Sequence, residues 1–311
     1  MSRLARKQLR FFGKPIDMSL AVTTMSPVKI LPLDIIENIV NILIDEVEGL
    51  EYVKTLSLTC QSFLPFCRKH ILSSIEIKSE NNKPITMYRL ELPYAEAFEQ
   101  LLLKTPAIAK YVRHLTIRIS ITKSYLSRDP LDQVVRQLTR LKSLSISMYI
   151  SPVGDSLNWN DICSSMQNSL LYLIHLPTLR DLYLETINDF PISNLITCTN
   201  LKYLYLGDLQ ITDELDEAAS SMSGNLMQLQ ELAIGESGLD ISADLLELRC
   251  PDGRPGLDLT CLEKISISVE NDEDWRDTFD FNKEIFSRAY RLIDIQFEGD
   301  EMSDLLFTAW Y

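Results

Sequence analysis

Two cysteines and a histidine lie close together in the segment LSLTCQSFLPFCRKHIL, Leu56 to Leu72. Cys60, Cys67 and His70 are residue types that bind zinc, and a cysteine near a histidine can act as a nucleophile. The spacing C-x6-C-x2-H has no fourth ligand nearby, however, and a structural zinc site normally has four. Pro65 also interrupts the helix that would align the three side chains. We therefore expect packing and a surface imidazole here, and no metal.

Other motifs of catalysis or cofactor binding are missing from the sequence. There is no G-x-G-x-x-G, no G-x-x-x-x-G-K-S/T and no H-E-x-x-H. The acidic segment Glu270 to Asp277 lacks the glycine and the spacing of a calcium loop. We therefore expect no cofactor, no metal and no enzymatic activity. An enzyme with an unrecognised site is the alternative.

The composition is that of a soluble globular chain. Of the 311 residues, 46% are hydrophobic and 24% are charged. Its richest apolar stretch, IIENIVNILI, is interrupted by Glu37, Asn38 and Asn41, so no membrane span is expected. Six scattered cysteines without a secretory h-region favour reduced thiols and a cytoplasmic or nuclear location.

Charge is unevenly distributed along the chain. The net charge is −14, yet residues 1–29 contain six Lys and Arg and only Asp17 as an acid. This basic head is either a disordered arm or a mitochondrial transit peptide, and we favour the arm. The acidic remainder repels phosphate backbones, so we expect a protein partner, one that is basic, and no nucleic acid.

A repeated pattern runs through most of the chain. The template L-x-x-L-x-L, with Ile, Val or Phe allowed for Leu, occurs eight times, 22 to 40 residues apart. The hits are LSSIEI, VRHLTI, LKSLSI, LRDLYL, LKYLYL, LQELAI, LEKISI and LIDIQF. This template is the strand segment of a leucine-rich repeat, with helix-like stretches between the hits. A doubly wound α/β domain is the alternative, but its strands would be continuous apolar runs.

We therefore predict an α/β fold in which residues 72–311 form an irregular leucine-rich-repeat solenoid with a parallel sheet on its concave face. Side chains flanking the buried pair of each strand then point outward. In the middle of that surface they include three tyrosines among carboxylates, which combine contact area with polar groups. The predicted substrate-binding residues are Asp181, Tyr183, Glu185, Tyr203, Tyr205 and Glu231.

Three short helices are predicted before the repeats. Pro32 can occupy a first helical turn, and Ile35, Ile36, Ile39 and Val40 recur at helical spacing. Leu-Pro-x-Asp, an Ile-rich helix and the segment LSLTCQSFLP together resemble the F-box, in particular the F-box-like domain abundant in mushroom-forming fungi. The resemblance covers about residues 30–77, with Phe63 where a Trp is common and a longer, more acidic connection IDEVEGLEY.

The resemblance implies a partner. An F-box docks on the Skp linker subunit of a cullin-RING ubiquitin ligase, and the repeats that commonly follow it hold a protein substrate. Residues 30–71 would form the F-box-like domain. Its linker-facing surface would comprise Leu31, Pro32, Ile35, Ile36, Ile39 and Val40. The alternative is a protein-binding scaffold whose helices only cap the solenoid and contact no ligase.

Overall fold

The computed structural model describes residues 32–59, 61–78, 93–121, 135–150, 155–207, 209–211, 226–235, 245–246, 248–250, 253–268 and 287–298. The predicted basic arm, Leu31 and Cys60 lie outside the described residues. No helix within those ranges is long and apolar enough to cross a bilayer.

Three helices open the described chain: α1 (Leu33–Ile44), α2 (Gly49–Thr59) and α3 (Leu64–Ile71). Helix α1 starts directly after Pro32, whose carbonyl accepts a hydrogen bond from the Ile36 amide at 3.1 Å. Helix α2 starts at Gly49. A Cβ on Gly49 would collide with the carbonyl oxygens of Leu43 and Ile44, so only glycine lets the chain turn this closely onto the end of α1.

The three helices pack around a small apolar cluster of their own. Val40, Val53 and Cys67, one from each helix, are fully buried at its centre. Ile71 packs against this cluster, whereas the next residue, Leu72, packs against the core of the sheet that follows. The chain thus passes from one core to the other between two consecutive residues.

A parallel sheet forms the larger part of the fold. The strands are β1 Ser74–Lys78, β2 His114–Ile121, β3 Ser143–Ile150, β4 Asp155–Asn158, β5 Asp181–Glu185, β6 Ile187–Phe190, β7 Tyr203–Gly207, β8 Gln210–Ile211, β9 Met227–Gln228, β10 Glu231–Ile234, β11 Leu257–Asp258, β12 Lys264–Ser268 and β13 Asp294–Glu298. Eight of them pair side by side, each parallel to the next, in the order β1, β2, β3, β5, β7, β10, β12 and β13. Short strands form further ladders: β4 pairs antiparallel with β3, β6 lies between β4 and β8, and β9 pairs with β11.

The strands align in the register that the template predicts. All eight hits fall on the main parallel strands, and their fourth positions are direct partners across the sheet. This row is buried in its middle and half-buried at its ends, at Ile75 and Ile295. Its members are Ile75, Leu115, Leu144, Leu182, Leu204, Leu232, Ile265 and Ile295. The predicted α/β architecture with a parallel sheet is thereby confirmed.

The connections between these strands differ from the expected succession of helices. Helix α4 (Pro93–Lys104) precedes β2 and helix α5 (Ser164–Ile174) precedes β5, but the connection from β5 to β7 contains β6 and a 3-10 helix, Ile192–Thr197. Only 17 residues separate Glu185 from Tyr203, which is too few for a long α-helix with two turns. Further 3-10 helices span Pro106–Tyr111, Trp159–Asp161 and Leu259–Cys261.

The buried row predicts a large effect of truncation at its centre. Leu204 is fully buried between Leu182 and Leu232 of the neighbouring strands. Leu204→Ala should lower the free energy of unfolding by about 2–5 kcal/mol, because the cavity adds to the lost transfer energy. Urea unfolding followed by circular dichroism measures this, with Ser266→Ala on the other face as the control. Equal midpoints for the two variants would contradict the placement of Leu204.

Candidate functional site

The six residues predicted to bind a partner lie on three adjacent strands. Asp181 pairs with Tyr203, and Tyr203 pairs with Glu231, while Tyr183 pairs with Tyr205 in the next row. Because alternate residues of a strand face opposite sides, these side chains share the face opposite the buried leucines. We call Asp181, Tyr183, Tyr203, Tyr205 and Glu231 the tyrosine patch. The sixth residue, Glu185, lies at the end of β5 opposite Gly207.

The three tyrosine rings of the patch contact one another. The centroids of Tyr183 and Tyr203 are 4.8 Å apart with the rings inclined by 37°, and those of Tyr183 and Tyr205 are 6.2 Å apart, inclined by 40°. Aromatic pairs at such distances attract each other by about 0.5–1.5 kcal/mol beyond their buried area. All three side chains are half-buried, so the rings form an ordered surface with an accessible side.

Two glycines make room for the third ring. A Cβ on Gly207 would lie 2.6 Å from the Tyr205 hydroxyl and 2.8 Å from Cε1, so the Tyr205 ring lies directly over Gly207. A Cβ on Gly235, on the next strand, would lie 3.2 Å from the same hydroxyl. The glycines therefore form a recess in the sheet surface that the tyrosine occupies. Sequence reasoning missed this recess, although the glycines closing YLYLG and AIG were its signal.

Burial and nearby acids keep the phenols of Tyr183 and Tyr203 protonated. Burial, reinforced by Tyr183, Glu231, Tyr205 and Asp181, raises the pKa of Tyr203 to about 12. Burial raises the pKa of Tyr183 as well, with smaller effects of Asp181 and Glu231. Neutral phenols donate hydrogen bonds, and ionised carboxylates accept them and attract cations. The patch therefore suits a partner that offers apolar area together with basic or amide groups.

Asp181 links the patch to positive charge at the start of the strands. Burial raises the pKa of its carboxyl group, while the charges of His114, Arg180 and Lys142 act in the opposite direction. Carboxylates and cations thus alternate across a short distance on this side of the sheet.

The residues predicted to face a Skp linker are divided between surface and core. Pro32 is exposed, Ile35 is 41% exposed and Ile39 is half-buried, but Ile36 is only 2% exposed and Val40 is completely buried. In this structure, Ile36 and Val40 are therefore inaccessible to a partner, and the accessible predicted residues are Pro32, Ile35 and Ile39. Leu33, which the sequence reasoning did not include, is 64% exposed beside them.

Cys67 and His70 have structural surroundings. Cys67 is fully buried among apolar side chains, and burial raises the pKa of its thiol, which disfavours the reactive thiolate. His70 Nε2 lies 3.1 Å from Asn41 Oδ1, so it joins α3 to α1. Lys69 Nζ and Glu37 Oε1, 3.0 Å apart, join the same helices at the surface. Across the described part of the chain, no cluster of His, Cys, Asp and Glu has the geometry to hold a metal ion.

A second surface feature was not anticipated. Five cationic residues line a groove of about 710 Å³ at the edge where the central strands begin. Its sequence signal is the second position of four successive template hits, VRHLTI, LKSLSI, LRDLYL and LKYLYL, which is always Arg or Lys. The acidic net charge of the whole chain concealed this local pattern. We call Arg113, Arg140, Lys142, Arg180 and Lys202, with the neutral residues between them, the basic groove.

The described chain is thus of the α/β class, with a parallel sheet that carries a tyrosine patch on one face and a basic groove at one edge. No family model matches the sequence, and neither a curated protein nor a solved structure matches it. The arrangement offers binding surface on the sheet and cations at its edge.

The recess beneath Tyr205 predicts a coupled pair of mutations. Gly207→Ala should lower the free energy of unfolding by about 1–3 kcal/mol, because the new methyl group displaces the tyrosine ring. In a Tyr205→Ala background, the same change should have little effect. Urea unfolding of the wild type, both single variants and the double variant measures the coupling. Additive effects would show that Gly207 and Tyr205 do not interact.

Proposed function

We propose that the chain is a non-enzymatic substrate-recognition adaptor of a Skp–cullin–F-box type ubiquitin ligase. In this proposal, the helical segment 30–71 is an F-box-like domain that docks on the Skp linker. The segment 72–311 is a leucine-rich-repeat solenoid that holds a protein substrate. The ligase supplies the chemistry, and the adaptor raises the effective concentration of substrate lysines near the ubiquitin-charged enzyme.

The observation that carries the proposal is the in-register parallel sheet with a partly exposed tyrosine patch. The eight template segments lie side by side, with their fourth positions in one row across the sheet. Repeat proteins build extended binding surfaces from stacked units of this kind. Tyrosines at the centre of that surface are typical of residues that dominate binding energy. A separate three-helix cluster with exposed apolar side chains supports a docking role for the helices.

A scaffold that never contacts a ligase is the second candidate function. Strand β1 pairs with β2 alone within the described sheet, so it lies at an edge. Helix α3 leads directly into this strand, and the Ser73 carbonyl between them accepts hydrogen bonds from the Arg113 and His114 amides. This position favours helices that cap the end of the sheet, as solenoids require. Both roles can be distinguished by testing the outer surface of α1.

Substitution of Ile35 tests the docking proposal. Ile35→Asp places a charge on the exposed side of α1 without touching the buried cluster, so the protein should fold and lose most of its affinity for a fungal Skp linker. Co-purification of the two proteins, followed by titration calorimetry, measures the loss. Ile293→Asp is the matched control, since Ile293 is 84% exposed and lies beside β13.

Two results would reject ligase docking. One is that the wild type recovers no Skp linker, which is what the capping scaffold predicts. The other is that Ile35→Asp and Ile293→Asp recover the linker equally well.

Charge reversal in the tyrosine patch tests partner binding. Glu231 is exposed, so Glu231→Arg should preserve the fold while reversing the charge beside Tyr203. Proximity labelling in cells should then lose the proteins that the wild type labels most strongly, as should the triple variant Tyr183/Tyr203/Tyr205→Ala. Gln296→Ala, on the outward row of β13, is the control. An unchanged set of labelled proteins in both patch variants would reject the patch as the binding surface.

A further inference from the structure

The basic groove is a site of unusual composition for this chain. Among the described residues, its lining contains five cations, four neutral residues and no carboxylate: Arg113, Arg140, Lys142, Arg180 and Lys202, with Pro177, Thr178, Asn200 and Gln230. The chain as a whole has a net charge of −14. Like charges brought together repel one another, and a bound anion removes that repulsion. The groove is therefore suited to an anionic ligand.

The backbone of the sheet sets the spacing of the cations. The Lys142 carbonyl accepts hydrogen bonds from the amides of Arg180 and Asp181, at 2.7 and 3.0 Å. The Arg180 carbonyl accepts in the same way from Lys202 and Tyr203, also at 2.7 and 3.0 Å. This pattern places Arg113, Lys142, Arg180 and Lys202 directly before successive strands, about 4.8 Å apart. From Arg113 to Lys202 the row spans three such steps, or about 14 Å.

Hydrogen bonds between successive connections fix the floor of the groove. Asn200 Nδ2 donates to the Pro177 carbonyl at 3.0 Å, and Thr178 Oγ1 donates to the Thr139 carbonyl at 3.2 Å. Arg113 Nη1 donates to the carbonyls of Lys110 and Arg140 at 3.0 and 3.2 Å. These bonds hold Arg113, Thr178 and Asn200 in place before any ligand arrives, which lowers the entropic cost of binding.

Most cations of the basic groove form no salt bridge within the described part of the chain. Arg140, Lys142, Arg180 and Lys202 form no salt bridge with any residue in the described ranges. The positive charges of Lys142 and Arg180 are felt by Asp181, whose pKa they lower against the effect of burial. The carboxylate of Asp181 is not among the residues lining the groove. The cations are therefore available to a ligand.

We propose that the basic groove binds an extended acidic segment of the protein partner. Side chains on one face of an extended peptide repeat about every 6.8 Å, so three anionic residues at alternate positions span about 14 Å, the length of the cationic row. Asn200, Gln230 and Thr178 offer amide and hydroxyl groups to the peptide backbone. A phosphorylated side chain presents the same chemistry with more charge.

A nucleic acid fits the surface less well. Its backbone would extend beyond the groove over a chain with a pI of about 4.7, and it would meet Asp181 and Glu231 directly beside the cations. Binding of nucleic acid depends mainly on neutralising many phosphates in succession. A short acidic peptide needs only the row itself.

The proposal deepens the proposed adaptor function by assigning a second contact with the same partner. It requires no docking of the Skp linker, so loss of linker binding and loss of peptide binding are separate results. Together the two surfaces describe a partner with an acidic segment beside a basic or polar one. The order of those charges would fix the direction in which the partner crosses the strands.

Fluorescence anisotropy with synthetic peptides tests the proposal on the full chain. The probe is a fluorescein-labelled octapeptide of alternating Glu and Thr, compared with its phosphothreonine form and with a Gln-Thr peptide. We expect the two acidic peptides to bind, the phosphorylated one more tightly, and the neutral one at least about tenfold more weakly. Added salt should weaken binding of the acidic peptides.

Paired charge reversals locate the binding. Lys142→Glu/Lys202→Glu should weaken the acidic peptides at least about tenfold, whereas Arg68→Glu/Lys104→Glu, with the same change in net charge outside the groove, should leave their affinity within about twofold. Circular dichroism confirms folding of each variant. Four results would overturn the proposal: no binding by the wild type, equal binding of the neutral peptide, equal weakening by both variants, or tighter binding of oligothymidylate than of the acidic peptides.

Discussion

The structure depends on one backbone arrangement, repeated from strand to strand. A carbonyl just before each central strand accepts hydrogen bonds from two consecutive amides of the next strand, as the Lys142 and Arg180 carbonyls do. The same backbone bonds could form after a shift of two residues, but only this alignment keeps the apolar pair of each strand opposite the apolar pair of the next, so the register is fixed. Every position of the template therefore becomes a row across the sheet. The buried leucines, the tyrosines and the cations are three such rows.

Register converts a weak sequence pattern into a surface. A tyrosine in a single strand is an ordinary strand residue, but Tyr183 and Tyr205 become neighbours because Leu182 and Leu204 are aligned beneath them. The same alignment places Asp181 beside Tyr203. Asp181 follows Arg180 directly, and Tyr203 follows Lys202, so acidic and basic groups lie one residue apart at the start of the strands. Along each of these strands, a partner would therefore meet a basic group first and the tyrosine patch next.

The rows were readable from the sequence because the spacing of apolar residues encodes register directly. The apolar alternation in LRDLYL, LKYLYL and LQELAI was enough to align β5, β7 and β10 and to bring five of the six predicted binding residues together. What lies between the strands was less readable. Short connections use 3-10 helices and small strands, because their length excludes a full helix.

Features that depend on neighbours from different strands could not be read from the pattern. The place of the Tyr205 ring depends on Gly207 and on Gly235 of the next strand. The division of α1 into a buried Ile36 and an exposed Ile35 could not be read from the pattern, since both residues belong to the same apolar stripe. The burial of Cys67, in contrast, was predicted from the sequence and is confirmed. The basic groove was not predicted, because the net charge of the chain does not show where its Lys and Arg residues lie in the fold.

The small helical cluster has a thermodynamic consequence. Among the described residues, Val40, Val53 and Cys67 alone are fully buried at its centre, whereas the sheet core contains dozens of buried side chains. A cluster of that size contributes little folding free energy by itself, so it is expected to open at lower free energy than the sheet. Any molecule that binds the closed form of the three helices adds its binding free energy to theirs. A ligand bound to the three helices would then increase the fraction of molecules in which they are folded, without changing the stability of the sheet.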